Sequence, residues 1–551
     1  MPKIRSLTVT LVALSFISAP IVRAQRSAVD TYAITNARIV TVSGATIERG
    51  TVVIRNGLIT AVGANVNPPS DARVIDGSGL TVYPGLIDSY TNLALPEPAP
   101  SPSPGGGGAG AFFAAQPRPS PGGPNSTQPP GLQPEVMVED VIRPSGTEIE
   151  SWRNIGITTA LTLPRTGIWM GQSALINLAG DTPQEMIVRS PVAMHVGFTP
   201  LRGGYPGSLM GVFAALRQMM LDAQRYRDSM QMYERSPRGM RRPEVDRSLA
   251  ALVPVVEGRM PVVMLANTER EITRALDLAA EFKLRLIVAG GREADRVADR
   301  LAKQNVPVLL SLNLPRRTTA ALPEADPEPM RVLRERVEAQ QTAAKLAKAG
   351  VRFAFESGSL TNISDLMVNV GHVVENGLST MDALRAFTIW SATILGVENQ
   401  LGSIETGKIA NLTVTRGDLF DRNSRIVHLF IDGRPVDLRP PAPGPVSRNS
   451  LSGTWNLTIN LGQGDKNATL TLTQEGERIS GSISGSLGAG EISNASTTTA
   501  GEVRFTVPLE IEGQTKEATF AGTLAGDQIR GTVTVVGMAP GSFTGSRPRP
   551  N

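Results

Sequence analysis

Cysteine is absent from this 551-residue chain, and histidine occurs only three times, at His195, His372 and His428. The first absence excludes disulfides, thiolate chemistry and a lipid-modified N-terminal cysteine. The second leaves little imidazole for metal ligation or proton transfer. Charge is nearly balanced, with a formal net charge of +4, so nothing in it calls for a nucleic-acid partner. Long apolar runs are missing after the first two dozen residues, and no later segment is long enough to span a bilayer core of about 30 Å.

What the N-terminus does contain is Lys3 and Arg5, an apolar run from Leu7 to Val22 broken by Pro20, and then Val22-Arg23-Ala24 before Gln25. A basic start, a short apolar stretch and a small-residue cleavage pattern read as a secretory signal peptide over 1–24. The expected protein is therefore exported, periplasmic or extracellular, where a chain without thiols has none to oxidise. An uncleaved anchor is the competing reading, and the run is short for it. Removing the segment would leave the chain close to neutral.

A chain of this length is too long for one ordinary core. From Tyr32 to Val82 apolar and polar residues alternate as in strands, and Asn56-Gly57 supplies the positive φ angles of a tight hairpin turn. Residues 96–134 are rich in Pro, Gly and Ser and poor in apolar side chains; they read as a disordered insertion, with an interdomain linker as the alternative. Between Pro261 and Phe355 short apolar strands alternate with amphipathic helices, the pattern of a parallel sheet covered by helices. Thr268 and Glu271 predict a capping box at the start of a helix near Glu269–Phe282. Strands return after Leu401, with a second hairpin dipeptide at Asp432-Gly433.

Pro440, Pro441, Pro443 and Pro445 mark a linker, 439–450. From Leu451 to Ser546 the helical period vanishes, and apolar residues alternate with Ser, Thr and Gly between short turns. The expectation is a small all-β barrel or sandwich over 451–547, with Trp455 plugging one end rather than stacking on a ligand.

Tyr83-Pro84-Gly85-Leu86-Ile87-Asp88-Ser89-Tyr90-Thr91-Asn92 resembles the P-G-L-I-D-x-H-x-H segment of the amidohydrolase superfamily, especially its imidazolonepropionase-like branch. A second stretch, Ala383 to Thr388 and Ala392 to Val397, then Leu401-Gly402-Ser403-Ile404 and Gly407 to Leu412, is similar to that branch's closing signature, with Asn411 where Asp is frequent. The resemblance implies an α/β fold: a (β/α)8 TIM-like barrel over 86–400, flanked by a composite β-sandwich built from 25–85 and 401–438. It also implies hydrolysis of non-peptide C–N bonds, in amides or cyclic amides, at the strand C-termini.

The same resemblance implies a zinc site, and here this chain departs from the pattern. Two histidines at i and i+2 on a strand face one cation; Tyr90 and Asn92 stand there instead. Alignment puts Leu265 and Gly290 at the histidine positions after the fifth and sixth strands, and Gly358 at the aspartate position after the eighth. The family site takes four histidines, one more than the whole chain contains. No cofactor is therefore expected, and catalytic residues are left unassigned. Tyr90, Asn92, His195, Asn267 and Glu356 are the candidate residues of a barrel-mouth pocket.

His195 could serve there as a general base, but reads first as a hydrogen-bonded core or rim residue. Glu356 reads first as a solvated charge at a loop start, and an all-oxygen cation site drawing on Asp88, Glu356 or Asp365 has no supporting spacing. The arginine-rich stretch Tyr233–Arg247 reads as a solvated helix or loop. Two functional readings stand: a hydrolase working without the family metal, or a ligand-binding or regulatory barrel, as a homodimer or paired with an active relative. A third makes the C-terminal module the binding element.

Overall fold

A computed structural model describes residues 31–96, 128–315, 329–438 and 453–547, apart from brief breaks within them. The signal-peptide segment, most of the 96–134 insertion and the 439–450 linker lie outside these residues. The chain divides into two units, at Arg439 and Pro440. Among the described residues no helix is long and apolar enough to cross a membrane.

In the first unit, strands from both ends share one eight-stranded sheet. Leu412–Arg416 runs antiparallel to Thr81–Pro84 and joins Arg425–Ile431 and Arg434–Val436 to the N-terminal strands. Both hairpin dipeptides do what their residues allow: Asn56 and Gly57, and Asp432 and Gly433, all have positive φ. The alternation seen in the sequence becomes a separate core that includes Ile34, Val52, Leu412 and Phe430.

Between these strands the chain forms a barrel. Its staves are Leu86–Thr91, Ile157–Thr162, a broken third, Met194–Gly197, Val262–Ala266, Leu286–Gly290, Val308–Ser311 and Phe353–Glu356. The first two pair in parallel, as do the fourth to the eighth in succession. Helices cover the outside, among them Glu269–Phe282, whose capping box between Thr268 and Glu271 is fully formed. The third stave departs from the expected alternation. Trp169–Gln172 and Ala174–Asn177 form one line, antiparallel to both neighbours. The connection 163–168 explains this, since a parallel crossover takes about a dozen residues or more.

The sequence reading carried the disordered insertion to residue 134, and this is corrected at its end. Leu132 and Gln133 are buried, and the backbone of Gly131 and Gln133 bonds to Ile168 and Trp169 at the third stave. One apolar side chain with backbone partners suffices to order that short stretch. Asn411, where the family signature often has Asp, is also accounted for. Its amide nitrogen donates to Thr159 and Asn177 while its oxygen accepts the Asp432 N–H. A carboxylate would supply neither donor.

The second unit is a single nine-stranded antiparallel sheet from Gly453 to Ser546. It curls around a core that includes Trp455, Phe505, Phe520 and Phe543. Trp455 is fully buried, and the Arg547 guanidinium lies 4.4 Å from its ring centroid. First and last strands are thus clamped by a cation on an aromatic face. Trp455→Ala is expected to destabilise this unit by about 3–5 kcal/mol and Arg547→Ala by about 0.5–2 kcal/mol, measured as shifts of the unit's urea midpoint.

Candidate functional site

Asp88 is a fully buried carboxylate near the middle of the first stave. Four donors converge on it: the Ser357 N–H at 3.0 Å and hydroxyl at 2.6 Å, the Trp152 indole at 2.9 Å and the Tyr90 N–H at 3.4 Å. Burial pushes its carboxyl up, and these donors pull the other way. Ser357 follows the eighth stave, so this cluster ties the last stave to the first. The sequence reading placed Asp88 in the motif but did not find the knot. Ser357 and Trp152 carry no signal that spacing could detect.

Above it the mouth holds a cavity of about 240 Å³, lined by Tyr90, Asn92, Arg165, Asn267, Ser311 and Glu356, among others. Four of the five candidate residues are therefore brought together. Leu265, Gly290 and Gly358 also line it, at the ends of the fifth, sixth and eighth staves. The Asn92 side chain donates to the Leu163 carbonyl at 2.8 Å and is fixed against the second stave. Arg292 is paired with Glu335, whereas Arg165 is exposed and, among the described residues, reaches the Asn92 carbonyl alone, at 3.5 Å.

Glu356 corrects the sequence reading: it is 2% exposed, not a solvated charge. Its strand, Phe353–Glu356, is buried at every position, so the last residue is carried into the barrel with the rest. Burial pushes its carboxyl well above the usual range, and neighbouring Asp88 adds to this, while Ser311 acts in the opposite sense. Among the described residues Oε2 of Glu356 has no hydrogen-bond partner. The proposed use of Asp365 alongside these two carboxyls finds no support, because Asp365 begins the helix Asp365–Glu375 beyond the eighth stave.

Two glycines make room for polar side chains. Gly290 has φ +84, and a Cβ there would stand 2.4 Å from Asn267 Oδ1. Gly358 has φ +48, and its Cβ would stand 2.5 Å from Glu356 Oε2. Both backbones are in the left-handed region that glycine tolerates. The Asn267 amide and the Glu356 carboxyl thus occupy the space beside these residues.

His195 is the fifth candidate, and the structure sets it apart. It lies on the fourth stave, is 1% exposed, and packs on Tyr90 with ring centroids 5.8 Å apart. It is a core residue, but among the described residues neither ring nitrogen has a hydrogen-bond partner. The expectation of a hydrogen-bonded histidine fails on that point: the residues paired with it on the neighbouring staves, Val263 and Gly171, carry no polar side chain. Burial brings its pKa down to about 3, so it is neutral. His372, beside Glu375, lies in the helix Asp365–Glu375, and His428 in the strand Arg425–Ile431. Tyr233–Arg247 ends the helix Leu209–Arg235 and continues as a largely exposed connection.

The fold resembles that of known proteins. The profile of the Amidohydrolase family matches residues 207–436. An amidohydrolase from Thermotoga maritima superposes with a TM-score of 0.60 at 24% identity, over 74% of this chain and 100% of its own. A Xaa-Pro dipeptidase with bound methionine gives a TM-score of 0.43 at 16% identity, over 74% and 100% of the two chains. Molinate hydrolase gives 0.42 at 17%, over 76% and 96%. The profile match covers part of the first unit, and the Thermotoga maritima protein shares its barrel fold.

The isolation of His195 has a measurable consequence. Its folded-state pKa lies below the unfolded value, so its contribution to stability is complete above about pH 6.5 and is lost as pH falls toward about 3. His195→Phe, which forfeits no hydrogen bond, is expected to hold the pH 7 urea midpoint and to lose less stability than the parent between pH 6.5 and 4.

Proposed function

We propose that this chain is an exported amidohydrolase-superfamily protein of the imidazolonepropionase-like branch whose barrel mouth binds a small molecule without the family metal. Its composite sheet, closed on its own core, stands for the flanking sandwich of that branch. The observation that carries the reading is the matching of Gly290 to Asn267 and of Gly358 to Glu356. Loss of metal ligands by drift alone gives no reason for neighbouring polar side chains to fill the space beside both glycines.

The donor set does not fit zinc, which favours nitrogen and sulfur ligands. Leu265, Gly290 and Gly358 have no donor side chain. The Asn92 amide is tied to Leu163, and His195 lies against Tyr90 outside the lining of the cavity. What the mouth offers instead is a phenol, amides, a hydroxyl and a carboxyl, the makeup of a polar binding pocket. Such a barrel acts alone, as a homodimer, or beside a catalytically complete relative.

One observation favours a second reading. Burial and the neighbouring Asp88 raise the proton affinity of the Glu356 carboxyl in the cavity lining, and a carboxylic acid that keeps its proton can give it to a leaving nitrogen. In that case water adds to the carbonyl carbon, the C–N bond breaks as Glu356 protonates the departing nitrogen, and the proton lost by the water restores the acid. Glu356→Gln then abolishes turnover. Native mass spectrometry of the purified full-length protein decides the main claim. We expect a retained small molecule in the parent, its loss in Asn267→Trp, and no stoichiometric zinc in either. Stoichiometric zinc with hydrolysis proportional to it would overturn the binding reading.

A further inference from the structure

Resting on the binding reading above, we infer that Glu356 selects the ligand, by donating a hydrogen bond from its carboxylic acid to an uncharged carbonyl oxygen in the cavity.

The geometry turns on one atom. Oε2 of Glu356 is buried, lies in a residue that lines the cavity, and receives no hydrogen bond. An ionised oxygen in that position would be a buried charge without a donor, which is strongly unfavourable. A protonated oxygen is instead a donor lacking an acceptor, and the ligand can supply one. Ser311 lies against the same carboxyl, and the φ of Gly358 leaves the space that Oε2 fills. The head is thus fixed before any ligand arrives.

The charges around Glu356 favour the same state. From the first stave it faces Asp88, an acceptor to four donors and so the carboxylate of the pair, and Tyr90, a neutral phenol. Two adjacent buried carboxyls do not both ionise without a cation between them. The seventh stave contributes Ser311 and the eighth Ser357, both uncharged. On the fourth, His195 is neutral and packs against Tyr90. The cations of the cavity lining are Arg165 and Arg292, both at the rim, and Arg292 is paired with Glu335.

An anionic head would meet the Asp88 carboxylate across Glu356, and would have to approach past a carboxyl that can itself ionise. An organic cation is the other chemistry that two carboxyls suggest. It would draw the proton from Glu356, and so would bind more tightly as pH rises. The uncharged carbonyl requires the proton to stay, and so binds less tightly as pH rises. The two readings have opposite signs.

The test uses ε-caprolactam, an uncharged carbonyl ring, and azepane, its cationic amine counterpart, with the full-length protein. Saturation-transfer NMR or calorimetry is run from pH 5.5 to 9. We expect ε-caprolactam to bind and azepane not to, and the lactam Kd to rise about tenfold per pH unit once Glu356 ionises. Glu356→Gln, which keeps an N–H donor, should retain lactam binding and remove its pH dependence. Glu356→Ala should weaken it at least about tenfold. Azepane binding that tightens with pH, or lactam binding indifferent to Glu356→Ala, would overturn the assignment while leaving a ligand-binding mouth intact. Failure of both probes at every pH, with no retained molecule in native mass spectrometry, would overturn the binding reading along with it.

Discussion

The Asp88 carboxylate is the constraint on which the site depends. It is buried on the first stave and takes both donors of Ser357, which follows the eighth. A barrel has to close somewhere, and here its closure runs through a carboxyl that water cannot reach. Four donors pull against that burial. Burial, and after it the neighbouring Asp88, push the second carboxyl, Glu356, well above the usual carboxylate range. The group that ties the last stave to the first therefore also raises the proton affinity of a residue in the cavity lining.

Much of the fold was legible in the sequence, for reasons that can be named. The capping box at Thr268 and Glu271 and the hairpins at Asn56-Gly57 and Asp432-Gly433 are local, and their physics acts over a few residues. Alternation marked the strands on both sides of the barrel. The candidate site was legible only in part. Tyr90, Asn92, Asn267 and Glu356 could be placed at strand ends, and they line one cavity. Whether each is solvated or buried depends on partners distant in sequence. Glu356 was read as a solvated charge because nothing in its neighbourhood announces Asp88, more than two hundred and fifty residues away. His195 was read as hydrogen-bonded because most buried histidines are, and whether a partner reaches its ring depends on strands distant in sequence, none of which supplies one among the described residues.

The glycines show why identity alone undersells a substituted position. Gly290 and Gly358 read in the sequence as missing ligands, and as ligands they are useless. In the structure each has positive φ and each leaves room for a polar side chain, Asn267 or Glu356. A glycine in a strand-end turn gives both freedom of backbone and absence of bulk. What looks like subtraction along the chain is a change of occupancy in space.

The third stave carries this argument to the rim. Parallel staves present their C-terminal ends to the mouth. The third, being antiparallel, presents its N-terminal end there, so the short connection 163–168 stays at the mouth and does not lead away into a helix. Leu163, Pro164, Arg165 and Met170 line the cavity for that reason. The carbonyl of Leu163 fixes Asn92, and Arg165 is the rim cation that no carboxylate pairs among the described residues. The brevity of one connection, visible in the sequence as the distance between two apolar runs, thus decides the strand direction. Strand direction in turn decides which residues face a ligand.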